Sequence, residues 1–311
     1  ARLVQEKLGT PMASLLLQPG LVPSNIAPPQ MPGGLSIPSW TPRMLRPAYW
    51  LGVDLFGYAI LGRALNRMRA ELRLTPVRRF FRWWLSPDLV IGAFPSWYAQ
   101  SQSDWPRQMK LCGFTRFDGV KGDLPNDVRE FCKQGCAPIA FTLGTGMEHA
   151  REFFKLATEA CRLLDSPGVL LTKFSKVLPT NLPSTVLHCP FAPFRRLLPL
   201  CSAIVHHGGI GTTAASLEAG CPQLILPLAW DQPDNAARIR QLGVGLSLGP
   251  RQRSSSEITA ALQRLKTKRV GEQCQVIATL LANDIGAERS ATVIEEFAIQ
   301  SSVFRGQPTT S

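Results

Sequence analysis

The sequence predicts an α/β chain with a parallel sheet in its C-terminal half. Short apolar runs at 139–143, 169–172, 185–188, 203–205, 223–228 and 244–248 alternate with helical stretches, the order a parallel sheet requires. A glycine-rich turn, His207 to Gly211, joins one of those strands to a helix, as ligand-binding turns of such sheets do. A length of 311 residues, 45% of them hydrophobic and 18% charged, suits two well-buried domains.

In chain order, residues 1–8 read as the end of a helix, 9–11 as a turn and 12–17 as a buried strand. Residues 18–47, rich in proline and glycine, read as a long loop, of the kind that carries function or disorder. In 45–85, apolar and aromatic residues (Tyr49, Trp50, Leu51, Leu55, Phe56, Tyr58) precede an arginine-rich run that includes Arg63, Arg67, Arg69 and Arg73. Asp54 breaks the apolar part, which is too short to span a membrane. The reading is a helix pair packed on the N-terminal sheet with a solvated basic face. Docking on an anionic membrane surface is the alternative. A second strand is expected at 88–93.

The first strand of the C-terminal half, 138–143, leads through Gly144, Thr145 and Gly146 into a helix over 147–164. The glycines free the backbone there, and the Thr145 hydroxyl can donate to a phosphate. His149 falls in the first turn of that helix and reads as solvent-facing. Further on, Gly208, Gly209 and Gly211 permit positive φ and close approach to a ligand. Thr212 and Thr213 open a helix that stops at Gly220. Its unpaired N–H groups and partial positive charge suit phosphate oxygens, and the two hydroxyls add donors. Asp231 and Gln232 follow the strand at 223–228, where ligands bind in open parallel sheets. A carboxylate beside a carboxamide can accept from and donate to adjacent hydroxyls of a hexose. Pro233 suits the first turn of the next helix, which ends at Gly243.

On these residues the segment 191–245 resembles the donor-binding signature of the UDP-glycosyltransferases, in the branch of bacterial antibiotic and sterol glycosyltransferases, and the resemblance extends over most of the chain from Pro138 onward. It implies two Rossmann-like domains facing across a cleft (the GT-B type), the N-terminal one incomplete. The implied division is an acceptor domain over 1–115, a linker at 116–123, a nucleotide-sugar domain over 124–283, a helix at 284–300 crossing back to the first domain, and a disordered tail, 301–311. By the same resemblance His207, Gly209, Gly211, Thr212 and Thr145 meet the donor diphosphate, and Asp231 and Gln232 hold the sugar. Phe191, with Pro193, lies where an aromatic stacks on the nucleobase, an interaction of roughly 1–3 kcal/mol. Plant members bind the ribose through a glutamate where this chain has Ala215, with Glu218 one helical turn further on. That departure leaves TDP open beside UDP.

The implied reaction is inverting, metal-independent transfer of a hexose from a UDP- or TDP-sugar co-substrate, with no other cofactor, to a hydroxyl of a small lipophilic acceptor (sterol, polyketide or glycolipid-like). The family's general base is a histidine in the first domain, and no histidine precedes His149. The expectation is therefore a fragment, or a gene model begun too late, that lacks the catalytic base. A non-catalytic transferase-fold partner that binds a nucleotide-sugar remains the alternative.

The net charge of +12 suits acidic ligands or an anionic surface. Without zinc-finger spacing or an RNP-like motif it does not indicate a nucleic-acid partner. Eight cysteines without a CxxC pair, several of them in apolar strands or helices as small buried thiols are, suit a reducing cytoplasm, with peripheral membrane contact through 45–85 as the other location considered. Four scattered histidines do not suggest a metal site. An NAD-dependent enzyme is disfavoured because no G-x-G-x-x-G follows an early strand with an acid about 20 positions on.

Overall fold

The computed structural model describes residues 1–38, 40–116, 122–144 and 150–306. They form two compact units: residues up to Thr115 together with those from Ile285 onward, and Arg116–Asp284.

The first unit contains α1 (Arg2–Leu8), β1 (Ala13–Leu16), α2 (Arg46–Gly57), α3 (Arg63–Glu71), α4 (Phe80–Trp83), β2 (Leu89–Gly92) and β3 (Met109–Leu111). The strands pair in parallel in the order β1-β2-β3. The sequence pointed to the first two; β3, three residues long and only partly buried, carries no apolar run to announce it. The long loop is pinned by Asp104, which accepts from Ser24 Oγ at 2.9 Å and Asn25 N–H at 2.6 Å. A π-turn at Tyr58–Gly62 joins α2 to α3.

The expected packing of this helix pair is corrected in two respects. The buried residues of α2 are Trp50, Asp54 and Gly57, and Asp54 Oδ1 accepts from Phe81 N–H at 3.3 Å, while Leu51, Leu55 and Phe56 face solvent. The basic run is not uniformly solvated either. Arg69 is buried, ion-paired with Glu6 at 2.6 Å and stacked over the Trp83 ring at 5.1 Å.

The second unit contains α5 (Asn126–Lys133), β4 (Ile139–Thr142), α6 (Arg151–Leu164), β5 (Gly168–Leu171), β6 (Val186–Cys189), α7 (Phe194–Leu197), β7 (Ala203–His206), α8 (Ile210–Glu218), β8 (Gln223–Ile225), α9 (Gln232–Gln241), β9 (Gly245–Ser247), α10 (Ser255–Leu265) and α11 (Lys268–Ala282). All six strands are parallel, in the order β6-β5-β4-β7-β8-β9. Successive residues of a strand point to opposite faces, so Ile139 and Phe141 of β4 pack with Phe154 and Leu262 in one core. Ala140 packs with Val128 and Leu197 in the other. Burial on both faces is why these strands read as unbroken apolar runs. The helix expected from Thr212 begins two residues earlier, at Ile210, and the one read through Asn235 begins at Gln232.

The last helix, α12 (Gly286–Gly306), belongs to the first unit. Its Val293 and Phe297 pack on Leu89, Ile91 and Cys112. It continues past 300, so 301–306 is helix and not the expected disordered tail; 307–311 lies outside the described residues. Of the expected linker, Arg116 belongs to the second unit, and 117–121 lies outside the described residues.

Candidate functional site

Strand order reverses between β4 and β7, and a crevice opens at such a point beyond the carboxyl ends of the strands. Thr142 at the end of β4 sits in register with His206 at the end of β7. Thr142 Oγ1 accepts from Gly144 N–H at 3.1 Å, and one strand over Thr172 Oγ1 accepts from Phe174 N–H at 3.1 Å. These local bonds turn both chains out of the sheet at the same level. The cleft they leave, about 430 Å³, is lined by Gly144, Lys173, Phe191, His207 and residues 209–212, among others.

His207 occupies a slot between two glycines. A Cβ on Gly144 would lie 3.0 Å from its Cε1, and one on Gly209 would lie 2.5 Å from its Nε2. Gly144 also has φ +84°, which favours glycine. Burial lowers the pKa of His207, so the ring is neutral at pH 7, and its buried Nδ1 has no partner among the described residues.

The N-terminus of α8 faces the same cleft. Gly209 is its N-cap and supplies no side-chain acceptor, and the first helical bond runs from Thr213 N–H to Gly209 O at 3.0 Å. The N–H groups of Ile210, Gly211 and Thr212 therefore have no intrahelical acceptor. Thr212 lines the cleft. Thr213, read as a second donor, is fully buried with no partner for Oγ1. Of the two threonines, only Thr212 lines the cleft.

Asp231 and Gln232 lie outside the lining of the cleft but are joined to it. Asn235, fully buried, donates from Nδ2 to Gly208 O at 2.9 Å and to Asp231 Oδ2 at 2.8 Å. One amide thus connects the glycine turn after β7 to the loop before α9. Burial raises the pKa of Asp231, with Asp234 adding to the shift and Asn235 opposing it. Gln232 Oε1 accepts from Leu228 N–H at 2.7 Å and Ala229 N–H at 3.0 Å. Its oxygen is committed to its own loop, and what it can offer a sugar is its Nε2 donors. Trp230, just before this pair, is 81% exposed and has φ +57°, a backbone conformation that bulky side chains rarely adopt.

Phe191 lines the cleft and is 42% exposed, which separates it from a core aromatic. Pro193 is buried, caps α7 and does not enter the lining; its part is to start that turn. Ala215 packs beside the core that holds Leu197. Glu218 is held by Arg116 at 2.6 Å and Arg195 at 3.2 Å, so among the described residues no carboxylate of α8 lines the cleft. Thr145 and His149 lie outside the described residues.

Sequence reasoning missed His206, Gln223, Asn235 and Lys173. Gly208 N–H donates to His206 Nδ1 at 3.1 Å, which puts the ring proton on Nε2, and that atom donates to Gln223 Oε1 at 3.0 Å. Gln223 Nε2 in turn donates to Thr213 O at 3.4 Å. Burial, with His207 beside it, lowers the His206 pKa to about 3. A polar Gln223 heading an apolar run, and Asn235 four residues after Asp231, were the available signals.

Residues 168–296 match the family described as erythromycin biosynthesis protein CIII-like, C-terminal domain. The chain is similar to the O-mycaminosyltylonolide 6-deoxyallosyltransferase of Streptomyces fradiae, 30% identical over 206 residues, which are 63% of this chain and 46% of that protein. It is also similar to the sterol 3-beta-glucosyltransferase UGT80B1 of Arabidopsis thaliana, 28% identical over 254 residues, 77% of this chain and 41% of that one. The chain thus spans under half the length of these two relatives. Among solved structures, the glycotransferase of kitacinnamycin superposes with a TM-score of 0.70 at 20% identity, over 95% of this chain and 72% of that one. That likeness shows the fold.

Proposed function

We propose that this chain is a member of the UDP-glycosyltransferase family, to whose members it is similar, and that it binds the nucleoside diphosphate of a sugar donor in the cleft of its second unit. The proposed activity of the whole protein is transfer of the hexose, with inversion, to a hydroxyl of a small lipophilic acceptor. The observation that carries the reading is the uncapped N-terminus of α8, set beside an imidazole whose buried Nδ1 has no partner among the described residues.

The proposed chemistry follows from charge. As the bond between sugar and diphosphate breaks, negative charge grows on the departing phosphate. The N–H groups of Ile210, Gly211 and Thr212 and the Thr212 hydroxyl are already oriented toward that place. His207, neutral through burial, contributes a hydrogen bond and not a charge; Lys173, exposed in the lining, contributes the charge. Phe191 offers its face to the nucleobase. Asp231 as acceptor and Gln232 Nε2 as donor hold adjacent sugar hydroxyls, which presents one face of the anomeric carbon to the acceptor. Ala215 and the ion-paired Glu218 leave the ribose 2′-hydroxyl without a carboxylate from α8, which suits TDP as well as UDP. No residue of the chain is assigned as the base that deprotonates the acceptor.

The test is calorimetric titration of the chain with UDP, TDP and NAD. A pyrimidine diphosphate should bind and NAD should not. A folded chain that binds neither pyrimidine diphosphate, or that prefers NAD, overturns the reading.

A further inference from the structure

We propose that the outward face of α2 and the π-turn after it docks on an anionic lipid bilayer, lying in the plane of its surface. The helix is inverted relative to an ordinary surface helix, which turns its apolar stripe toward the core. Its inward face carries Asp54 and Gly57 beside Trp50. Its outward face carries Leu51, Leu55, Phe56 and Ile60, preceded by Met44 and Leu45, each more than half exposed. A contiguous exposed apolar face marks a surface that is covered in use.

Charge identifies the cover. Between 43 and 70 the only acid is Asp54, and it is buried against Phe81 N–H. Arg43, Arg63 and Arg67 are exposed, and among the described residues none of their side chains has an ion pair or hydrogen bond. Arg63 and Arg67, one turn apart on α3, follow Phe56 and Ile60 in the chain directly after the π-turn, so exposed basic residues continue from the exposed apolar ones. Apolar side chains suit the acyl boundary, and flanking arginines suit anionic headgroups. No helix among the described residues is long and apolar enough to cross a membrane, so the contact is interfacial.

The proposal does not depend on sugar transfer, and its test needs no donor. The full chain is floated with vesicles of phosphatidylcholine, alone or containing phosphatidylglycerol. It should float with the anionic vesicles, less so as salt rises. Leu55→Glu with Phe56→Glu, both exposed in the fold, should abolish flotation while the circular dichroism spectrum is kept. Arg63→Gln and Arg67→Gln should each weaken binding roughly fivefold, the equivalent of about 1 kcal/mol per arginine. No flotation by the folded chain overturns the proposal, and so does flotation that survives the apolar double variant. Self-association in sedimentation, lost in that variant without any vesicle binding, assigns the face to a second copy instead.

Discussion

Gly211→Ala separates the ligand from the fold with one methyl group. A Cβ at Gly211 meets no atom of the described residues within 4 Å, and the residue sits inside α8 without a left-handed φ. The unliganded fold should accept alanine, which is favoured over glycine in a helix by up to about 0.8–1.0 kcal/mol. At about 2–4 °C per kcal/mol for a domain of this size, the melting temperature should hold or rise slightly. The open space is the cleft itself, so the methyl stands between the α8 N–H groups and a phosphate. Losing one hydrogen bond to a charged group costs about 1.5–3 kcal/mol, a roughly 10- to 150-fold weaker affinity for UDP or TDP. Calorimetric titration paired with thermal melting of the free protein reads both quantities. An affinity within about threefold of the parent would refute the phosphate site. A clear fall in melting temperature would make Gly211 structural, as Gly209 is, where a Cβ would lie 2.5 Å from His207 Nε2.

Asp231→Ala should abolish the extra affinity for a nucleotide-sugar over the bare diphosphate while diphosphate affinity survives; equal loss of both in titration refutes the sugar role. His207→Ala should weaken diphosphate binding roughly tenfold, one charge-assisted hydrogen bond, and unchanged affinity would leave the ring a filler of its slot. Asn235→Ala removes a buried donor to Gly208 O and Asp231 Oδ2 and should cost about 2–4 kcal/mol, or about 5–15 °C of melting temperature; a loss under about 1 kcal/mol contradicts the bracing role. His206 ties stability to pH. Its folded pKa of about 3 lies below the unfolded 6.5, so its contribution is present above pH 6.5 and lost as pH falls toward 3. Between pH 7 and 5 that is about 2 kcal/mol, read from urea midpoints, and a flat profile rules out a buried neutral ring.

The second unit was legible because its strands are buried on both faces and its turns need glycine. Ile139 to Thr142 is wholly buried, and an apolar run is what such a strand must be. Gly208 needs φ +94° and has no room for a Cβ against Ile225, so the cradle was visible as a motif. Direction was harder to read. Periodicity gives a helix a face but does not say where it points, and α2 buries Asp54 while exposing Leu55. Buried polar partners were also hidden. Nothing in its letter distinguishes Asn235 from a solvated asparagine, and Gln232 reads as donor and acceptor until Leu228 and Ala229 are seen to occupy its oxygen.

The amide of Asn235 bears on how such a site can be re-engineered or can drift. A graft that replaces only the short loop carrying Asp231 and Gln232 imports a carboxylate without the neighbour that braces it, and leaves Gly208 O with whatever stands at 235. The smallest block that keeps these contacts runs from the His206 end of β7 through the first turns of α9, because the His206–Gln223 bond and both bonds of Asn235 close within that span. With the proposed roles, selection for a new sugar acts on residues that also shape the glycine turn at 207–211. Chimeras cut inside this block should trade donor preference against donor affinity, and chimeras cut at its ends should not.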